Sequence, residues 1–265
     1  PMRVELTFTG TGTSQGVPVI GCTCAVCTSS DPRDRRLRTS AIVRAGGQTT
    51  SIDAGPDFRQ QMLREQVTDL NAVVFTHEHK DHVAGLDDVR AYNFIHKRDM
   101  PVYATERVEQ ALRREFHYIF APNPYPGIPR IDLRRVNDEP FEIGDARWWP
   151  LPALHAQMPV LGYRIGGLAY ITDANLLQPL AWERLKDVDV LVINALRKAP
   201  HVSHFNLEEA LEVVERVRPR AAYLTHFSHQ MGLTAEVAAE LPKGAFPAVD
   251  GLTIVSEGPE YRPTA

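Results

Sequence analysis

Apolar residues fall along this chain in short runs, separated by stretches where they recur at three- and four-residue spacing. Alternation over Glu5-Leu6-Thr7-Phe8-Thr9 predicts a strand. Further strands are predicted at 40–44, 50–53, 73–76 and 102–104, with helical spacing over 57–65, 83–95 and 106–116. The second half continues in the same style. Strands are predicted at 148–154, 162–165, 168–172, 188–193 and 221–225, with an amphipathic helix over 207–217. Strands and helices alternate without a linker, which predicts one α/β domain over residues 1–265. Both halves follow the order strand, polar ligand-type residue, helix, although no repeat shows at a fixed period.

The polar residues that interrupt this pattern are not ordinary turn residues. Directly after the apolar run Ala72-Val73-Val74-Phe75 comes Thr76-His77-Glu78-His79-Lys80-Asp81-His82. Imidazoles and carboxylates at this density are the usual ligands of a catalytic divalent metal. His77 and His79 are two apart in extended chain, so their side chains can share a direction. Asp81 and His82 fall where the helical pattern begins. Two neighbouring ions are thus allowed, one on His77 and His79, the other on Asp81 and His82. Metal-type residues also end other buried runs: Asp53, His155, Asp173 and His226. Functional groups on layered folds collect at such ends.

Composition narrows the class. A hydrophobic content of 43% and a charged content of 23% fit a soluble globular protein. The formal net charge of −4 disfavours general nucleic-acid binding. The run Arg33, Arg35, Arg36, Arg38 is a candidate local basic patch, with a solvated loop the plainer expectation. No apolar run approaches the ~18 residues of a membrane span. The chain starts directly on a strand pattern instead of a signal peptide.

The three cysteines, Cys22, Cys24 and Cys27, share one hexapeptide. An odd, clustered set makes a poor disulfide framework and a good metal motif, which places the chain in a reducing cytoplasm. Three thiolates and one imidazole would close a tetrahedral zinc site within a loop at about 21–38. Spacing leaves the fourth ligand open among His96, His117, His201, His204 and His229. Gly10-Thr11-Gly12-Thr13-Ser14-Gln15-Gly16 fails the dinucleotide fingerprint, because Gln15 stands at the third glycine position and no helix follows. Its glycines are expected to allow close backbone approach. Residues 116–129, with Phe116, Tyr118, Phe120 and four prolines from Pro122 to Pro129, form a candidate lid.

The segment His77 to His82 resembles the His-x-His-x-Asp-His motif of the metallo-β-lactamase superfamily. His155, Asp173 and His226 fall where that superfamily places its remaining ligands, and the likeness runs from Gly10 to about Val255. Gly10 through Pro18, Gly21 through Cys27 and Leu224-Thr225-His226-Phe227-Ser228-His229-Gln230 resemble the PhnP-type phosphodiesterases more narrowly. The resemblance implies an αββα sandwich with a two-metal site at one edge. It implies His77, His79 and His155 on one ion, Asp81, His82 and His226 on the other, and Asp173 bridging. Zinc, manganese and iron all suit this donor set. It further implies His229 as the fourth ligand of one structural zinc, and a dimer. Asp53 is placed to orient a ligand imidazole and, with Asp81 and His204, is expected to serve the chemistry. His204 would stabilise the phosphorane charge or protonate the leaving oxygen. His201 is a weaker form of the same idea, and Arg197 and Lys198 could add positive charge.

The expected function is a metal-dependent phosphodiesterase acting on a small, even cyclic, phosphodiester with a hydroxide bridging two metals. Nucleic acid and membrane are not expected partners. A tRNA 3′-processing nuclease of the RNase Z type shares the site but expects a basic tRNA-gripping arm, which the chain lacks. A PqqB-like redox protein of cofactor biosynthesis shares the cysteine segment.

Overall fold

The structure is a computed structural model and describes residues 1–263. Its strands in chain order are β1 (Val4–Gly10), β2 (Ser40–Ala45), β3 (Gln48–Ile52), β4 (Ala72–Val74), β5 (Met100–Ala104), β6 (Ile131–Arg135) and β7 (Phe141–Ile143). Then follow β8 (Ala146–His155), β9 (Met158–Ile165), β10 (Leu168–Ile171), β11 (Leu176–Leu177), β12 (Val190–Asn194), β13 (Ala221–Thr225), β14 (Ala245–Pro247) and β15 (Thr253–Ser256). The helices are α1 (Phe58–Arg64), α2 (Lys80–Val83), α3 (Arg90–His96), α4 (Glu106–Glu115), α5 (Pro179–Arg184), α6 (Leu207–Val217) and α7 (Thr234–Glu240).

Two mixed sheets result, ordered β15-β1-β2-β3-β4-β5-β6 and β11-β8-β9-β10-β12-β13-β14, with β7 beside β8. In each sheet antiparallel pairing gives way to parallel pairing, at β3–β4 in the first and at β10–β12 in the second. This is the likeness between halves that the sequence carried.

Strand alternation builds the layers. On β2, Ala41 and Val43 face the second sheet, while Ile42 faces outward onto α1 and its neighbours. On β12, Val190 and Val192 join the same central core, and Leu191 and Ile193 pack outward under α5 and α6. The centre holds Phe8, Trp148, Tyr163 and Tyr170, all buried to 1% exposure or less. Each large apolar side chain buried this way contributes roughly 1.5–3 kcal/mol. Helices on both outer faces of two packed sheets give the expected αββα sandwich. Among the described residues, no helix is long and apolar enough to cross a membrane.

The helix predicted over 83–95 is broken. A single turn, α2, ends at Val83, a 3₁₀ segment spans Leu86–Val89, and α3 starts at Arg90. Gly85 causes the break: its N–H donates to the Ala54 carbonyl at 2.8 Å, and a Cβ there would stand 1.9 Å from the Gly55 oxygen. The chain must dip against residues 54–55, and only glycine can. The edge strands β6, β14 and β15, and α7, were not read from the sequence. The aromatics of the candidate lid turn inward: Phe116, Tyr118 and Phe120 pack against the outer core beside α4. Tyr118 donates to Asp87 at 2.5 Å.

Candidate metal centre

The parallel strands bring their C-terminal ends to one edge, and the ligand-type residues stand there. Asp53 follows β3, His77 follows β4, His155 ends β8, Asp173 follows β10 and His226 follows β13. Asp53, Asp173 and His226 hold left-handed backbone, with φ of 66°, 61° and 62°. Each such non-glycine residue costs of order 1–3 kcal/mol and persists where its surroundings hold it.

Those surroundings are specific. Asp173 is 2% exposed and lies at the centre. Its Oδ2 is 3.1 Å from His82 Nε2 and 3.4 Å from His77 Nε2, and its Oδ1 is 3.2 Å from His226 Nδ1. Thr172 donates its hydroxyl to Asp173 Oδ1 at 2.7 Å. Asp81 Oδ2 stands 3.2 Å from His82 Nε2. His77, His79, His155 and Asp173 form one group with ligand atoms within 4.8 Å of one another, and His82, Asp173 and His226 form a second. Asp173 is common to both.

Outer partners orient the rings. Asp53 Oδ2 is 2.6 Å from His82 Nδ1, Thr76 Oγ1 is 2.9 Å from His77 Nδ1, and the Ser203 carbonyl is 2.7 Å from His155 Nδ1. Thr39 Oγ1 is 2.9 Å from His226 Nδ1 and donates to the Gly12 carbonyl, while Thr13 Oγ1 is 3.3 Å from His226 Nε2. Hydrogen bonds of this kind fix which ring nitrogen presents its lone pair. Asp53 is fully buried behind His82 and does not reach the open site. Its expected share in the chemistry is therefore that of a positioning residue, acting through His82. Thr39 carried no signal in the sequence, being 187 residues from His226. Thr76 stood in the motif without a role.

The electrostatics fit cation binding. Burial alone would raise the Asp173 carboxyl, but the imidazoles of His226 and His82 outweigh it and hold it well below the carboxylate range. Asp81 is likewise lowered, His82 outweighing burial. Burial would lower His82, yet Asp173, Asp81 and Asp53 raise it well above the usual value. Burial and His77 press His79 down to about 4, leaving a neutral donor. His77 Nε2 is buried with no hydrogen-bond partner. A divalent ion would satisfy that nitrogen and the carboxylates together, so the donor set fits one.

His204 lies in the loop before α6, 8% exposed. Its ring centroid is 4.5 Å from that of His155 and 4.9 Å from that of His226, across both groups. Its Nδ1 is buried without a partner, and burial, then His226, lower its pKa to about 2. His201 lies beside it, with Nδ1 near the Ser203 hydroxyl. Arg197 keeps its charge on neutral acceptors, and burial and then that charge lower the neighbouring His201, whereas Lys198 is paired. Arg197 donates to the Ala199 and Pro200 carbonyls and to Gln230, and Lys198 pairs with Glu240.

A second cluster lies nearby. His229 Nδ1 stands 3.3 Å from Cys22 Sγ and 3.5 Å from both Cys24 Sγ and Cys27 Sγ. The geometry thus selects His229 from the five candidate histidines. The Cys27 backbone N–H is the largest influence on the Cys24 thiol, lowering it to about 6, while burial pushes Cys27 up to about 11. Of the four arginines in the candidate basic patch, three are paired or buried and Arg35 is exposed. Arg33 pairs with Asp31, Arg38 pairs with Asp57, and Arg36 is buried over the Phe227 ring.

Comparison with known proteins agrees with this geometry. A β-lactamase superfamily domain matches residues 49–227. A protein of Porphyromonas gingivalis named octanoyltransferase is 41% identical over 249 residues, covering 93% of this chain and 50% of that protein. A ribonuclease Z of Methanopyrus kandleri is 31% identical over 139 residues, 51% of this chain and 46% of its own. The chain thus spans about half the length of these curated relatives. Among solved structures, a diphosphatase from the PhnP family superposes with a TM-score of 0.91 at 41% identity, covering 97% of this chain and 99% of that one. Zinc-bound PqqB from Methylobacterium extorquens shares the fold, with a TM-score of 0.73 at 19% identity over 94% and 99% of the chains. The domain match and the 41% identity across nearly all of a PhnP-family structure show that this chain belongs to the metallo-β-lactamase superfamily.

Proposed function

We propose that the protein is a metal-dependent hydrolase of a small phosphodiester. The observation that carries this reading is Asp173, a single buried carboxylate common to two histidine groups. One ion would take His77, His79, His155 and Asp173; the other would take Asp81, His82, His226 and the same Asp173. When bound, a pair of divalent ions supplies Lewis acidity toward a phosphoryl oxygen and a nucleophile at neutral pH. The mixed imidazole and carboxylate donors suit zinc, manganese or iron. The cysteine cluster with His229 would hold one further zinc, closed to chemistry by its four protein ligands.

The chain's own part is orientation and proton supply. Asp53, Thr76 and the Ser203 carbonyl set the rings of His82, His77 and His155. His204 faces the space between both groups with an unpartnered nitrogen, placed to give a proton to the departing oxygen. Burial disfavours its cation, and a phosphate anion bound beside it acts in the opposite direction. A small substrate is favoured over tRNA because the arginines of the 33–38 run are largely engaged by carboxylates or buried.

The reading is tested with bis-p-nitrophenyl phosphate after loading with zinc, manganese or iron. Turnover no higher than the metal blank would sink it. The 41% identical diphosphatase favours a second reading in which a diphosphate linkage is cut by the same groups. A diphosphate-linked dinucleotide assayed in parallel decides between them by kcat/KM. A precursor tRNA arm tests the ribonuclease Z alternative. The octanoyltransferase name belongs to a protein about twice as long as the shared segment.

A further inference from the structure

We propose that Thr76 is a positioning residue that locks the two metal half-sites to each other. The inference rests on the two-ion reading of the cluster. Thr76 is 1% exposed, directly before His77. Its backbone N–H donates to Asp53 Oδ1 at 2.8 Å, and its hydroxyl lies 2.8 Å from Asp53 Oδ2. The same hydroxyl lies 2.9 Å from His77 Nδ1. Asp53 Oδ2 is also 2.6 Å from His82 Nδ1. One buried chain of contacts therefore runs from His77 through Thr76 and Asp53 to His82, and these imidazoles belong to different ion groups.

Counting protons fixes the direction of every link. A carboxylate has only acceptors, so Asp53 must accept from both Thr76 and His82. A threonine hydroxyl has one proton, and it is committed to Asp53. Its lone pair must then accept from His77, so His77 carries its proton on Nδ1. His82 donates to Asp53, so its proton toward that partner is also on Nδ1. Both Nε2 atoms are left facing Asp173, at 3.4 and 3.1 Å. A tautomer change at His77 makes Nδ1 an acceptor, turns the Thr76 hydroxyl toward it and removes a donor from Asp53, which is the anchor of His82. Among the hydrogen bonds of the described residues, no other side chain touches both Asp53 and an imidazole of the first group.

The test uses the zinc-loaded full chain. Thr76→Val removes the hydroxyl at nearly constant volume, and Thr76→Ser keeps it. Affinity for each ion is measured by competition with a chromogenic chelator. Thr76→Val is expected to weaken both active-site ions by ~10–100-fold, with Thr76→Ser close to wild type and the cysteine-bound ion retained. Thr39→Val, whose hydroxyl serves His226 alone among the ring ligands, is expected to weaken one active-site ion. Wild-type affinity for both ions in Thr76→Val, or weakening of one ion only, would overturn the proposal. Long-range ¹H–¹⁵N spectra of the wild-type protein give an answer that needs no variant. His77 and His82 are expected with Nδ1 protonated, and a protonated Nε2 on His77 would overturn the chain of donors. A wild-type protein that binds fewer than two ions besides the cysteine-bound one refutes the two-ion reading itself, a result distinct from these.

Discussion

Asp173 Oδ2 stands 3.1 Å from His82 Nε2, with both side chains closed to solvent to within 2%. His77 Nε2 approaches the same oxygen at 3.4 Å, so one carboxylate oxygen meets a ring from each ion group. Removing it should therefore affect both ions. Asp173→Ala is expected to weaken both by more than the ~10–100-fold caused by loss of an outer partner. Metal content after gel filtration checks this: the active-site ions should be lost and the cysteine-bound ion kept. Retention of one tightly held active-site ion would show that Asp173 serves a single ion.

His204 makes the opposite prediction. It touches the site but is outside both ligand groups. His204→Ala should leave metal content unchanged and lower kcat by ~10²–10⁴-fold, the usual worth of a positioned proton donor. Full activity in the metal-replete variant would remove His204 from the chemistry.

The cluster was legible in the sequence to the extent that its residues are neighbours or end apolar runs. His77, His79, Asp81 and His82 fall within six residues, and His155, Asp173 and His226 each close a buried strand. Spacing alone left His229 open and only the family resemblance pointed to it, because it lies more than 200 positions from the thiols. The grip of Thr39 on His226 and the pairing of β15 with β1 were hidden for the same reason. The helix over 83–95 was misread because its periodicity is local, whereas the contact of Gly85 with residues 54–55 that breaks it is not. The Asp53 carboxylate was legible as a strand-end residue that orients a ligand imidazole, and the structure identifies that ring as His82.

Gly55 offers a test of that distant contact. A Cβ at Gly55 would stand 2.0 Å from the Asp81 carbonyl oxygen, closer than any side chain tolerates. Gly55→Ala must push the α2 turn, and with it Asp81 and His82, away from Asp173. Overpacking of this kind costs typically about 1–3 kcal/mol. A lower urea midpoint together with weaker metal binding is expected. Unchanged metal affinity in a destabilised variant would show that the turn carries its ligands independently of residue 55.

Asp189 ties both sheets together at the far side. It accepts from Arg220 at 2.8 and 3.0 Å and from the Ser256 hydroxyl at 2.7 Å. The Arg220 hydrogen bond is the main reason its carboxyl is held below the ordinary value of 3.8. A depressed folded-state pKa adds stability that is present above the unfolded value and lost as pH falls through the folded one. Asp189→Asn should therefore lower stability at neutral pH, with the gap to wild type closing below about pH 3.8. Denaturant midpoints across pH 2–7 measure it, and a gap that stays constant with pH would assign the loss to packing alone.

The cysteine cluster should act on the active site through the chain that joins them. The Phe227 N–H donates to the Thr11 carbonyl, and the Thr13 N–H donates to the Phe227 carbonyl. The loop before the cysteines is thereby paired with the residue after His226. His229 anchors the other end of this segment on the three thiols. A structural ion held by this cluster would contribute directly to folding free energy, so its loss should loosen both segments of this pairing. Cys24→Ala is expected to lower Tm, to expose residues 18–35 to limited proteolysis and to weaken the ion on His82 and His226. The ion on His77, His79 and His155 should be less affected, because these three rings stand at the ends of β4 and β8 and make no hydrogen bond to the cysteine loop among the described residues. Equal weakening of both ions would place the effect of the cysteines on the whole fold instead of on His226.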